Sequence, residues 1–144
     1  MGSWGYGPFD DDTALDFVDD LVDRQATYVV PALHAALDRL AAPGGALDYS
    51  LSVQGLAAAA LLAGCVPYPE DQRNSAWVST TIPPLDHEIA TLACQAIEAA
   101  YGEDAILTEL AIEAGNLTEH LAGLEPVRQR LRAAIPPPQT ETLF

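Results

Sequence analysis

Apolar residues recur at helical spacing along most of the chain. In residues 14–23, they fall on one side of a helical wheel and four aspartates fall on the other. The apolar positions are Ala14, Leu15, Phe17, Val18, Leu21 and Val22, and the aspartates are Asp16, Asp19, Asp20 and Asp23. This pattern predicts an amphipathic helix with one apolar face and one acidic face.

Proline and glycine divide the next part of the chain. Pro31 predicts the end of one helix or the start of another, PALHAALDRLAA, which stops at the Pro-Gly-Gly of residues 43–45. An Ala-rich helix is predicted over 50–63 and closes at Gly64. The following YPEDQRNSAWVSTTIPPL is rich in polar and turn residues. Since the β-branched WVSTTI has no partner strand, we predict a long surface loop held by Trp77.

Three further helical segments are predicted in the second half. An apolar stripe over 89–100 predicts a helix ending at Gly102, and a shorter helix over 103–114 is stopped by Gly115. Asn116 followed by Glu119 is typical of a capping box that begins the last helix. Pro126 predicts a kink or restart in that helix, before the triple proline at 136–138.

These patterns predict one compact all-α domain of five to six helices over residues 1–135. They also predict an ordered Gly/aromatic segment at the N-terminus and a flexible Pro-rich tail over 136–144. Cys65 and Cys94 lack metal-ligand spacing, so we interpret them as reduced, buried side chains.

The charge argues against two classes of partner. With 21 acidic side chains against 6 basic ones, the net charge is −15, and this field disfavours nucleic acid and anionic membrane surfaces. The most apolar stretch, 55–66, is too short for a membrane span of roughly twenty residues. We therefore expect a cytoplasmic protein that binds neither nucleic acid nor membrane.

The opening stretch GSWGYGPFDDD combines flexible glycines, large aromatic rings and a run of aspartates. The arrangement Gly2-x-Trp4-Gly5-x-Gly7-Pro8-Phe9-Asp10-x-Asp12 resembles the start of a bacterial family called domain of unknown function 4259. The similarity extends to the chain length, the Ala-rich middle helix and a late helix-Gly-helix. At Asp11 this sequence departs from the Asn expected in the family. The resemblance implies no activity.

Read physically, the stretch is typical of a structural clasp. Its glycines allow close backbone approach, its aromatic rings supply apolar contact, and Asp12 stands where a helix N-cap belongs. The residues of this motif are Trp4, Gly5, Gly7, Pro8, Phe9, Asp10 and Asp12. A competing hypothesis makes Asp10, Asp12 and Asp16 a carboxylate cluster for a divalent cation, although the twelve-residue calcium-loop pattern is absent.

The sequence indicates no catalytic residue, cofactor or metal site. It has no Gly-x-Ser-x-Gly, Ser-x-x-Lys or phosphate-binding loop, and His34, His87 and His120 are interpreted as solvated or helix-capping. Two functions remain open. In the first, the protein is a non-catalytic interaction protein or an immunity- or antitoxin-like inhibitor, and it binds a basic protein through Asp16, Asp19, Asp20 and Asp23. In the alternative, it binds or converts a small molecule in a pocket between helices, beneath an aromatic lid formed by Trp4, Tyr6, Phe9 and Trp77. Monomer and homodimer stay equally open.

Overall fold

The computed structural model describes residues 6–67 and 72–136, which form seven α-helices and one 3-10 helix. The α-helices are α1 (Asp12–Val22), α2 (Ala26–Ala41), α3 (Tyr49–Leu62), α4 (Gln72–Thr81), α5 (His87–Ala100), α6 (Ile106–Ala114) and α7 (Leu117–Ala133), and the 3-10 helix is Gly45–Leu47. The all-α prediction is confirmed, with one helix more than the predicted upper number. None of the described helices is both long and apolar enough to cross a membrane.

Helix α3 lies at the centre of the fold. Its Ala57, Ala58, Ala59 and Ala60 are completely buried, and α1, α2 and α5 pack around it. A helix that is apolar on every side is stable only when neighbours cover it all round. At Gly55 an added Cβ would lie 2.4 Å from Leu40 Cδ2, so α2 passes at a distance that only glycine permits.

Helix α1 has the predicted amphipathic character, but its cap differs from the prediction. Ala14, Val18 and Leu21 are buried. Asp11 is the N-cap, with extended backbone and a side chain that accepts from the Thr13 amide at 2.8 Å. Asp12 is already the first helical residue, so the predicted cap at Asp12 is wrong by one position.

Both prolines predicted to break helices lie inside continuous helices. Pro31 follows five helical residues in α2, and Pro126 lies within α7. Each removes one backbone hydrogen bond. Both prolines are exposed, so their rings lie on the outer faces, where water can solvate the freed carbonyl. The predicted restart at Pro31 is therefore wrong, and α2 begins at Ala26.

Glycine predicts two helix ends correctly. Gly64 and Gly115 adopt positive φ angles of 86° and 73°, and they follow α3 and α6. The α6 helix begins at Ile106, three residues later than predicted. The capping box is wrong, because Asn116 occupies the N-cap position of α7 but its side chain makes no capping hydrogen bond.

The additional helix is α4, in the segment predicted to be a loop. The Ser79 and Thr80 hydroxyls donate to the Ala76 carbonyl at 3.2 and 2.8 Å. These side chains therefore satisfy their polar groups within the helix. Val78 is buried and Trp77 packs half-buried against the core, which holds α4 on the other helices. The predicted tail, apart from Pro136, lies outside the described residues.

Candidate functional site

The described part of the opening stretch, residues 6–11, forms a turn that leads into α1. The Gly7 amide donates to Asp10 Oδ2 at 3.0 Å, and the Asp10 amide donates to the Gly7 carbonyl at 3.1 Å. Phe9 packs half-buried against the core. Trp4 and Gly5 of the predicted motif lie outside the described residues. Hydrogen bonds thus fix the position of the Asp10 carboxylate.

This turn lies directly on α7. A Cβ at Gly123 would lie 2.1 Å from the Tyr6 carbonyl oxygen and 3.3 Å from the Gly7 nitrogen. No side chain fits between backbones that are so close. The opening stretch and α7 therefore form one continuous wall.

Aromatic rings line the inside of this wall. The Tyr6 ring meets the His120 ring edge-on, with centroids 5.0 Å apart, and the Tyr101 ring lies 6.5 Å from His120 on centroids. Burial lowers the pKa of His120 and the nearby Glu119 charge opposes that shift only in part, so the imidazole is neutral at pH 7. The interpretation of His120 as solvated or capping is therefore wrong, whereas His34 and His87 are exposed.

A second polar contact links the opening stretch to α3. The Tyr49 hydroxyl donates to Asp11 Oδ2, while Asp11 Oδ1 caps α1 through the Thr13 amide. Burial and the Asp11 carboxylate raise the pKa of Tyr49, and burial raises that of Tyr101 to about 12. Both phenols are therefore protonated at neutral pH.

These groups surround a cavity of about 640 Å³ between the opening stretch, α3, α6 and α7. Apolar side chains from three helices form part of its lining, namely Val53, Leu56, Leu107, Ala111 and Leu124. The polar lining consists of the four rings Tyr6, Tyr49, Tyr101 and His120, and of the acceptors Asp10, Asp11 and Asn116. Asn116 Oδ1 is buried and has no hydrogen-bond partner in the described part of the chain. The cavity thus combines apolar surface with a few positioned polar groups.

A family model described as Domain of unknown function (DUF4259) matches residues 2–122. The chain belongs to the DUF4259 family. The match to DUF4259 includes every lining residue of the cavity except Leu124. Neither the curated proteins nor the solved structures contain a match.

The residues predicted as an acidic binding face lie on the opposite side of α1 from the core. Asp16, Asp19, Asp20 and Asp23 are all exposed. Asp20 Oδ2 pairs with Arg24 Nη2 at 2.8 Å. A second cavity of about 440 Å³ has Asp16, Asp20 and Arg24 in its lining, together with Arg39. Arginine therefore offsets part of the acidic charge of this face.

The aspartates of the opening stretch are arranged differently from the hypothesised cation site. Asp10 is bound to the Gly7 amide, and Asp12 is an exposed residue on the first turn of α1. Within residues 6–67 and 72–136, no three His, Cys, Asp or Glu side chains are grouped to hold a metal ion. Cys65 and Cys94 are free and half-buried, and burial raises the pKa of both thiols.

Sequence reasoning identified part of the cavity wall and missed the rest. Of the described residues of the predicted motif and lid, Tyr6, Gly7, Pro8 and Asp10 line the cavity, whereas Phe9, Asp12 and Trp77 do not. Tyr49 and Tyr101 were not predicted as site residues. Each is a single aromatic residue at a helix terminus, and only the packing of distant segments brings them to the opening stretch. The one available signal was the aromatic composition of the opening stretch, which indicated a pocket beneath it.

Proposed function

We propose that the cavity binds a small organic molecule. The observation that carries the proposal is a space of about 640 Å³ whose lining mixes apolar side chains with a few polar groups. Ligand sites of proteins are typically clefts of about 300–1,000 Å³ with this composition. The proposal develops the pocket alternative that the sequence left open.

The state of the polar groups supports a binding role. Asp10 is held by the Gly7 amide, and Asp11 is held by the Thr13 amide and the Tyr49 hydroxyl. Groups that are fixed before the ligand arrives lose little entropy on binding. Asn116 Oδ1 is a buried acceptor without a partner in the described residues. Because less than 1 Å² of that oxygen is accessible, the acceptors that a ligand would meet are the fixed carboxylates rather than Asn116 Oδ1.

A fragment screen observed by ¹H–¹⁵N NMR tests this proposal. We expect a subset of small, partly apolar fragments to shift the amide signals of Tyr6, Gly7 and His120. A matched pair of variants locates the binding. Ala114→Trp places a large ring at an exposed position of the cavity lining, and Ala122→Trp places the same ring at an exposed position outside it. Ala114→Trp should abolish the shifts and Ala122→Trp should preserve them. A screen in which no fragment perturbs the cavity residues refutes the proposal.

The exposure of four aspartates on α1 supports a second candidate function. In this proposal Asp16, Asp19, Asp20 and Asp23 bind a basic surface on a partner protein, as in an inhibitor that masks a cationic site. Electrostatic complementarity of this kind raises the association rate and makes it salt-dependent.

Affinity capture with purified wild-type protein at low and high salt tests the second candidate. The comparison is with a variant carrying Asp16→Asn, Asp19→Asn and Asp23→Asn, and with a control carrying Glu103→Gln, Asp104→Asn and Glu113→Gln. A basic protein retained by the wild type and the control, lost with the α1 variant and released by salt, is the expected result. Equal capture by the two variants would exclude the acidic face.

A further inference from the structure

We infer that the ligand of the cavity is an organic cation, namely a primary or secondary ammonium group on an apolar body. This inference rests on the proposed function of the cavity and names the chemical class that its lining fits. Three features of the cavity wall support it, namely its negative charge, its aromatic rings and its carboxylate acceptors.

The charge of the wall is negative. Asp10 and Asp11 are both part of the lining, and its described residues include neither Lys nor Arg. Among the described residues, Asp10 accepts a hydrogen bond only at Oδ2, from the Gly7 amide, and its Oδ1 has no partner there. His120 adds no positive charge because burial lowers its pKa. The lining therefore repels carboxylates and phosphates and attracts an ammonium group.

The aromatic rings favour the same charge. Tyr6, Tyr49 and Tyr101 line the cavity together. Since the face of a phenol ring carries negative potential, an ammonium group within about 6 Å of the ring centre is stabilised. Aromatic rings that line a site together are a common feature of sites that bind organic cations.

The fixed polar atoms of the lining also favour a ligand that donates hydrogen bonds. Carboxylate oxygens can only accept, and the Tyr49 hydroxyl already donates to Asp11. An ammonium group supplies two or three N–H donors. The rest of the space is lined by Val53, Leu56, Leu107 and Leu124, which fit a hydrocarbon body rather than a small, fully hydrated ion.

Three probes of matched shape test the inference, namely 3-phenylpropylamine, 3-phenylpropanol and 3-phenylpropanoate. Dissociation constants are measured by calorimetry at pH 7.5, and NMR shifts of Tyr6 and His120 locate each probe. We expect the amine to bind at least about tenfold more tightly than the alcohol, since a charge-assisted hydrogen bond is worth about 1.5–3 kcal/mol. The carboxylate should bind most weakly.

Two variants that change the net charge by the same amount distinguish two causes of amine binding. One cause is the Asp10 carboxylate in the cavity wall, and the other is the electrostatic field of the whole protein. Asp10→Asn keeps an oxygen for the Gly7 amide and should weaken amine binding about tenfold, while the uncharged alcohol should lose clearly less affinity than the amine. Asp12→Asn removes one charge two residues further along the chain, at an exposed position in the first turn of α1, and should have little effect. Asp10→Glu restores the charge and should recover the preference for the amine.

The outcomes distinguish this inference from the proposed function. If the alcohol binds as tightly as the amine, the cation inference is wrong and the small-molecule site remains. Equal weakening by Asp10→Asn and Asp12→Asn also overturns it, because the preference would then arise from net charge alone. If none of the probes shifts the cavity residues, the cation inference fails, and the fragment screen decides separately on the cavity itself.

Discussion

Gly123→Ala tests the contact on which the cavity wall depends. The new Cβ would lie 2.1 Å from the Tyr6 carbonyl oxygen and 2.7 Å from its carbonyl carbon. These are backbone atoms, so no side-chain rotation relieves the clash. Either α7 and the opening stretch move apart or the opening stretch leaves its position.

Two opposing terms set the size of the effect. At an open helix position, replacing Gly by Ala stabilises by about 1 kcal/mol. Here, overpacking costs about 1–3 kcal/mol, and separation also weakens the edge-on contact of Tyr6 with His120, worth about 0.5–1.5 kcal/mol. We expect a net loss of about 1–2 kcal/mol, which lowers the melting temperature by roughly 3–8 °C in a domain of this size.

Urea unfolding followed by circular dichroism measures this loss, and NMR shifts at Tyr6 and His120 locate it. Ala122→Gly, at the neighbouring exposed position, is the control. It reports the helix propensity of this turn of α7 without a clash. If Gly123→Ala instead stabilises the protein by about 1 kcal/mol, as at an open helix position, the packing of Tyr6 on α7 is refuted.

Three further predictions concern the core, the cap and the pH dependence. Gly55→Ala should destabilise by about 1–3 kcal/mol in urea unfolding because α2 leaves no room for a methyl group, and an unchanged midpoint would contradict the close approach. Asp11→Ala should lower the free energy of unfolding by about 1 kcal/mol because the cap of α1 is lost, whereas Asp12→Ala should lower it by only about a few tenths. A larger loss for Asp12→Ala than for Asp11→Ala would support Asp12 as the cap. The His120 pKa is lower in the folded than in the unfolded protein, so the unfolded state binds more protons and stability falls as the pH drops below 6.5. His120→Gln should reduce the dependence of stability on pH in thermal melts between pH 5 and 8. An unchanged pH dependence would exclude His120 as its cause.

The sequence predicts helices well where one local feature determines them. The acidic and apolar faces of α1 follow from spacing alone, and the ends at Gly64 and Gly115 follow from glycine's access to positive φ. The errors arise where tertiary packing decides. Pro31 and Pro126 are tolerated because they lie on exposed faces, and local sequence gives no measure of that exposure.

The α4 helix shows the same limit. WVSTT has β-branched residues and hydroxyls that weaken a helix in isolation. In the fold, Val78 is buried and the half-buried Trp77 packs against the core, and these contacts compensate for the weak propensity. The sequence therefore predicts Trp77 as the contact with the core, but it does not predict that the backbone around Trp77 is helical.

For the candidate site, the sequence located the opening stretch but not the residues opposite it. Asp11, where the family resemblance leads us to expect Asn, is the helix cap. Because Asp and Asn cap helices equally well, Asp in place of Asn at position 11 preserves the capping role. Tyr49, Tyr101 and His120 belong to distant parts of the chain, and no local pattern connects them before the helices pack.

The central position of α3 has a consequence for how the molecule opens. Amide hydrogens of Ala57–Ala60 are hydrogen-bonded inside a helix that is covered all round, so they exchange with solvent only when the whole fold opens. The amides of Gly7 and Asp10 are held at the periphery by a single turn. Exchange there requires only that turn to separate from α7. We therefore expect a slowly exchanging interior and a peripheral turn at residues 7–10 whose amides exchange while the interior stays folded.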